Sequence, residues 1–111
     1  MVSLKVTIID RKGEAGKLCA EGCGVDWTQE ENRNLARQNL RGFFGDRVQV
    51  EFLDLDAPST QEAFQDIARR VQENDLLLPV LVVNGEVRIS GFFDFRMLRD
   101  MVEVAGELGR G

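Results

Sequence analysis

The order of hydrophobic and polar residues predicts alternating strands and helices in the first half of the chain. A strand is predicted from about Val2 to Ile9, with its even-numbered apolar residues on one face. Thr28 and Glu31 have the spacing of a capping box, so a helix is expected to begin near Gln29. The apolar residues that recur at helical spacing in it are Leu35, Ala36, Leu40, Phe43 and Phe44. Clean alternation over Val48–Phe52 then predicts an edge strand with one face in water.

Two further helices are predicted from capping signals in the second half. Ser59 and Glu62 repeat the capping-box spacing directly after Pro58. The residues that this second helix is expected to bury are Ala63, Phe64, Ile67, Ala68 and Val71. Asp94 is a suitable N-cap for a last helix, whose expected buried residues are Leu98, Met101 and Val102.

A hairpin lies between these two helices. Val80–Val83 is apolar throughout, as in a central strand, whereas Val87–Ser90 alternates like an edge strand. Asn84-Gly85 between them predicts a type I′ turn, because that turn needs two positive φ angles. Pro79 has no N–H to donate, so it must occupy the first position of the buried strand.

These elements predict one α/β domain over residues 1–111, in the order β-α-β-α-β-β-α. A right-handed crossover makes the first two strands parallel, and the hairpin makes the last two antiparallel, so the four-stranded sheet is mixed. Its two alternating strands are expected at the edges, with helices on both faces of the sheet. Within the domain, Asp10–Asp26 is predicted to be a glycine-rich loop that carries both cysteines, and a short tail is expected from about Gly106.

The composition argues against several classes of binding partner. The net charge is −5 and no basic stripe is present, so nucleic acids and anionic membrane surfaces are not expected partners. No apolar run approaches the roughly 18 residues that a membrane span needs. The chain enters a strand at once without the pattern of a signal peptide, so a cytoplasmic location with reduced thiols is expected. The exposed edge at Val87–Ser90 makes a homodimer possible.

The only residues with a specific chemical signature are Cys19 and Cys23. Two thiols four positions apart in a glycine-rich loop can approach to disulfide distance without strain in the backbone. The same two thiolates are alternatively ligands for a soft ion such as Cu(I) or trivalent arsenic. A closed zinc site has four protein ligands, whereas the chain has 2 cysteines and no histidine. The remaining interpretation is two inert cysteines, because free cysteines are usually buried and unreactive.

The segment from Leu78 to Val87, read with the cysteine loop, resembles thioredoxin-like domains. Two small bacterial groups are similar: the arsenic-resistance metallochaperones, also described as weak repressors, and uncharacterised thioredoxin-like proteins with two cysteines after the first strand. The matching features are Cys23-Gly24, Leu78-Pro79 before an apolar strand, Asn84-Gly85-Glu86, and Gly91 ahead of the last helix. The resemblance implies that Pro79 is cis and faces the cysteine motif. Leu18 stands where the metallochaperones have a second adjacent cysteine, so their three-thiolate arsenic site is incomplete here.

The predicted function is thiol–disulfide chemistry without a cofactor. One of Cys19 and Cys23 would attack as a thiolate and the other would resolve, while Pro79 shapes the adjoining surface. The expected partner is a protein with a thiol or disulfide, or a small thiol. Two alternatives stay open: a carrier of a metal or metalloid ion on the same two thiolates, and a non-catalytic thioredoxin-like adaptor.

Overall fold

The computed structural model describes residues 4–11, 27, 29–91 and 93–108. The strands are β1 (Leu4–Asp10), β2 (Val48–Asp54), β3 (Val80–Val83) and β4 (Glu86–Ser90). The helices are α1 (Glu30–Phe44), α2 (Pro58–Ala63), α3 (Gln65–Gln72) and α4 (Phe95–Leu108), and a 3₁₀ turn at Gly45–Arg47 joins α1 to β2. None of the helices in the described part of the chain is long and apolar enough to span a membrane.

The sheet has four strands in the order β2-β1-β3-β4. β1 is parallel to β2 and antiparallel to β3, and β3 is antiparallel to β4. The predicted fold class is therefore confirmed: a mixed sheet whose two alternating strands lie at the edges. The fully apolar β3 and the mostly buried β1 occupy the centre, where both faces of a strand are covered.

Helices cover both faces of the sheet, so the domain has a core on each side. On one face α1 and α4 pack on β1 and β3 through a group that includes Ala36, Leu40, Leu98 and Val102. On the other face Ile67 and Ala68 of α3 pack on a second group of strand residues. Alternate residues of β1 therefore enter different cores, because successive side chains of a strand point to opposite faces.

The predicted hairpin turn is present, and it also contacts β1. Asn84 and Gly85 have φ angles of 51° and 84°, as a type I′ turn requires. The Lys5 N–H donates to Oδ1 of Asn84 at 2.9 Å, and the Asn84 N–H donates to the Lys5 carbonyl at 2.9 Å. The Lys5 side chain is exposed near the start of β1, where its Nζ lies 3.2 Å from Glu51. The turn thus closes β3–β4 and fixes the start of β1 at the same time.

Several helical positions differ from the sequence prediction. Leu35 and Phe43, predicted to be buried, are 42% and 58% exposed. Ala63 is exposed as well. Only a narrow strip of α1, centred on Ala36 and Leu40, faces the sheet, so apolar residues beside that strip remain in water.

The first helix begins where the sequence predicts, whereas the second begins earlier than its capping box indicates. α1 begins at Glu30 after Gln29, and Thr28 of the predicted capping box lies outside the described residues. α2 begins at Pro58 after Ala57 without a side-chain capping bond, so Ser59 lies within the helix and is not its N-cap. Proline is well suited to a first helical position because its missing N–H would have no partner there. The predicted second helix is divided at Phe64, whose φ of −127° and ψ of 50° are not helical. By contrast, Asp94 caps α4 as predicted: its Oδ1 accepts the Met97 N–H at 2.8 Å.

The last helix continues past the predicted start of the tail. α4 reaches Leu108 instead of ending near Gly106. A Cβ at Gly106 would lie 3.3 Å from Cδ1 of Leu4, so the glycine lets the helix approach β1 closely. Packing on the sheet therefore carries the helix through a residue of low intrinsic helix propensity.

Candidate functional site at the carboxyl end of β1

Pro79, the predicted site residue that the structure describes, lies at the end of the sheet where β1 ends. Ile9 of β1 pairs with Val80 of β3, so Asp10 and Pro79 are the next residues along these two antiparallel strands. The Leu78–Pro79 peptide bond is cis. The Pro79 carbonyl accepts the Gly91 N–H at 3.0 Å, and this bond ties the start of β3 to the end of β4. Pro79 is thus held at the sheet end where β1 leads into the cysteine-bearing segment.

Cys19 and Cys23 lie within residues 12–26, outside the described residues. The described residues on either side of that segment are Arg11 and Trp27, and both are fixed by the same side chain. The Arg11 N–H donates to Oδ1 of Asp10 at 2.8 Å, and the Trp27 N–H donates to Oδ2 at 3.3 Å. The segment that carries the cysteines therefore leaves from, and returns to, the carboxyl end of β1.

Asp10 is itself buried, with 2% of its surface exposed. Its two carboxylate oxygens each accept a backbone N–H, which compensates in part for the loss of water around the group. Its carbonyl accepts the Leu55 N–H at 2.9 Å, so the end of β1 is also joined to the residue after β2. Buried polar groups with several partners hold a single backbone arrangement.

Trp27 packs into the core under the site. Its indole is fully buried among Phe93, Phe95 and Phe52, with ring centroids at 5.0, 5.2 and 6.3 Å. No acceptor among the described residues lies within hydrogen-bond distance of the indole Nε1. Trp27 is therefore a packing residue of the core beneath the end of β1.

Arg33 fixes Trp27 from the other side. Its Nε donates to the Trp27 carbonyl at 2.7 Å, and its guanidinium carbon lies 5.4 Å from the centre of the Phe52 ring. Asp10 and Arg33 thus bind the N–H and the carbonyl of the same residue. The start of α1 is in this way connected to the end of β1.

Sequence reasoning did not identify Asp10 and Arg33 as parts of this site. A signal for Asp10 was available, because a carboxylate at the end of an apolar central strand lies close to the core, where a buried charge needs hydrogen-bond partners. Arg33 gave no such signal, since an arginine on the polar part of a helix usually lies in water. The neighbouring acids behave as solvated residues: Asp54 is exposed, and exposed Asp56 pairs with Nε of Arg11 at 3.2 Å. Within residues 4–11, 27, 29–91 and 93–108, no three acidic, histidine or cysteine side chains cluster as metal ligands.

Comparisons with known proteins give a family and a fold. A family model described as "Protein of unknown function (DUF1462)" matches residues 14–103, which include both cysteines and Pro79. A crystal structure of a protein of unknown function from Staphylococcus aureus, SA0789, is similar, with a TM-score of 0.67 and 14% sequence identity. The similarity covers 92% of this chain and 90% of that one, and it concerns the fold alone. No curated protein matches the chain.

Proposed function

The chain belongs to DUF1462, a family of proteins of unknown function, and we propose that it is a thiol–disulfide redox protein acting through Cys19 and Cys23. One observation carries the proposal. Both described ends of the segment with the two cysteines are bound to the Asp10 carboxylate, next to Pro79 along the neighbouring strand. Cys23 is only four positions before Trp27 in the sequence, so the second cysteine is close in sequence to a fixed point of the core.

The fold supports this proposal through its arrangement of elements. In the thioredoxin-like resemblance, a cysteine motif follows the first strand, and a proline at the start of the third strand adjoins it. In this chain the sheet order β2-β1-β3-β4 makes β1 and β3 neighbours, so Pro79, just before β3, lies beside the carboxyl end of β1 that precedes the segment with both cysteines. We therefore extend the resemblance to the thioredoxin-like superfamily as part of the same proposal.

The proposed reaction transfers two electrons to a disulfide in a protein or small-molecule partner. The thiolate of one cysteine attacks a sulfur of that disulfide, whose S–S bond breaks to give a mixed disulfide and a partner thiolate. The second cysteine loses a proton and attacks the mixed disulfide. The partner leaves as a dithiol, and Cys19 and Cys23 become joined. An external thiol of the glutathione class then reduces the protein pair and is itself oxidised.

The first experiment is a redox titration of the purified, metal-free protein in glutathione buffers. Free thiols are trapped by alkylation and counted by mass spectrometry after equilibration. A reversible Cys19–Cys23 disulfide with a potential between about −180 and −270 mV is expected, the range of dithiols in thiol–disulfide oxidoreductases. Thiols that stay reduced throughout, or that form only mixed disulfides with glutathione, would contradict the proposal.

The single variants Cys19→Ser and Cys23→Ser identify the attacking residue. The variant that keeps the attacking thiol is expected to accumulate a mixed disulfide, because nothing resolves it. The variant without that thiol should form no such adduct. Uptake of one Cu(I) or trivalent arsenic per chain by a protein without a reversible disulfide would instead favour the carrier. No change in either assay would favour the non-catalytic adaptor.

A further inference from the structure

The outer side of β2 is an open sheet edge beside a row of arginines. β2 is the terminal strand of the sheet and pairs with β1 along all of Val48–Asp54. No strand in the described part of the chain pairs with its other side. An open edge presents unpaired N–H and carbonyl groups that can hydrogen-bond to an added strand.

The arginines of this row are Arg33, Arg37 and Arg41, one turn apart on α1. The guanidinium carbons of Arg33 and Arg37 lie 5.4 and 4.9 Å from the centre of the Phe52 ring. Arg37 and Arg41 line a surface groove of about 270 Å³, whose other lining residues are Leu40, Val48, Gln49 and Val50. The row therefore lies along the β2 edge and not on a separate surface.

The spacing of the row matches the spacing of the strand. Residues four apart on a helix are about 6 Å apart along its axis, and alternate residues of a strand are about 6.7 Å apart. Val48, Val50 and Phe52 are the strand residues on the α1 side, where they pack against the core under α1 and α4. Glu51 lies between them in sequence and pairs with Lys5. An added strand would therefore present every second side chain to the arginines.

We propose that the β2 edge binds an extended peptide as a fifth strand, with acidic residues at alternate positions facing Arg33, Arg37 and Arg41. The charges at the groove support an acidic occupant. Among the described residues, no carboxylate forms an ion pair with Arg41. Arg37 donates to Oδ1 of Asn34 at 3.1 Å and pairs with exposed Glu30 at 3.6 Å, while 45% of its side chain remains exposed to solvent. The row is positive although the whole chain has a net charge of −5.

Two other occupants fit the surface less well. A second copy paired antiparallel through β2 would place the two arginine rows side by side, and like charges at that distance repel. A single-stranded nucleic acid needs aromatic faces on which its bases stack. The Phe52 ring is already in contact with Arg33, Arg37 and Trp27.

The test uses the full-length protein and two fluorescein-labelled peptides with the same composition. One peptide alternates threonine with three glutamates, and the other has the three glutamates in succession. Binding is measured by fluorescence anisotropy at low salt, and amide shifts of β2 are followed by NMR. We expect the alternating peptide to bind at least about fivefold more tightly, because only it can place each glutamate beside an arginine. N-methylation of the peptide at the positions whose N–H groups face β2 should abolish binding.

Matched protein variants distinguish specific binding by the arginine row from nonspecific attraction between the acidic peptide and any exposed arginine. Arg41→Ala is expected to weaken binding of the alternating peptide severalfold, and Arg41→Lys should weaken it less. Arg69→Ala, which removes an exposed arginine paired with Asp66 on α3, should leave binding unchanged. Equal binding of the two peptides, equal effects of Arg41→Ala and Arg69→Ala, or tighter binding of an oligothymidylate would each overturn the proposal. A concentration-dependent dimer that shifts the β2 amides without peptide would assign the edge to a second copy instead.

Discussion

The backbone N–H of Trp27 donates to Oδ2 of Asp10 at 3.3 Å, although these residues are 17 positions apart in the sequence. The other oxygen of the same carboxylate accepts the N–H of Arg11 at 2.8 Å. One buried side chain therefore holds the two described ends of the segment that contains both cysteines.

Replacement of Asp10 by asparagine should destabilise the protein by about 1–3 kcal/mol, because an amide has one oxygen for two backbone donors. Its NH₂ group would also face an N–H. The measurement is the free energy of urea unfolding, followed by the fluorescence of Trp27. The control is Asp54→Asn, since the side chain of exposed Asp54 accepts the Asp56 N–H at 2.9 Å and an amide oxygen can accept the same bond. A loss no larger than that of the control would show that Asp10 does not hold the segment.

The emission of Trp27 should follow the redox state of the cysteines. Trp27 is the single tryptophan, it is fully buried, and it follows Cys23 by four positions. A disulfide between Cys19 and Cys23 would constrain the chain just before the Trp27 N–H. The emission of Trp27 should therefore change across the redox titration with the same midpoint as the loss of free thiols. The Cys19→Ser/Cys23→Ser variant should give constant emission across the same buffers. A thiol titration without any change in fluorescence would mean that the disulfide is not coupled to the core.

Replacement of Asn84 by glycine isolates the hydrogen bond between the hairpin turn and β1. Glycine accepts the φ of 51° at this position, so the turn geometry is retained. The variant loses only the side-chain acceptor of the Lys5 N–H, and we expect a stability loss of about 0.5–1.5 kcal/mol. Glu51→Gln is the comparison, because it removes the exposed ion pair to Lys5 and should cost at most about 1 kcal/mol. Thermal unfolding of both variants checks this order.

Two helix glycines should respond differently to alanine. Nothing lies within 4 Å of a Cβ placed at Gly42, so Gly42→Ala should stabilise the protein by about 0.5–1 kcal/mol. At Gly106 the added Cβ would lie 3.3 Å from Cδ1 of buried Leu4. Gly106→Ala should therefore gain less than Gly42→Ala, because Leu4 must move within a packed core. Equal gains in the free energy of unfolding for the two variants would show that the packing of α4 against Leu4 does not require a glycine at position 106.

Alanine substitution should cost much more stability at a buried phenylalanine than at an exposed one. Phe93 is 1% exposed and stacks on Trp27, so Phe93→Ala should cost about 3–5 kcal/mol. Phe43 is 58% exposed and contacts the guanidinium of Arg99, so Phe43→Ala should cost about 1 kcal/mol or less. Urea unfolding measures both values. A large loss at Phe43 would place that ring in a packed interface.

The local signals in the sequence were sufficient for the elements and their order. The apolar run Val80–Val83, the Asn84-Gly85 turn and the alternation in Val48–Phe52 each depend on neighbouring residues only. Strand periodicity and turn geometry are local properties, so these predictions were confirmed. Burial on α1 was less predictable, since the width of its covered strip depends on where the helix lies over the sheet. Leu35 and Phe43 fit the helical pattern and still face water.

By itself, the sequence determined that this chain forms a mixed α/β sheet and that its only candidate redox groups are Cys19 and Cys23. Only the tertiary structure brought Asp10 to the N–H of Trp27 and Arg33 to its carbonyl. The same holds for the arginine row of α1 beside the open edge of β2. These contacts join residues of different elements, so they depend on strand order and helix placement. The positions of the strands and helices relative to one another cannot be deduced from patterns of neighbouring residues, because they follow from how all the elements pack together.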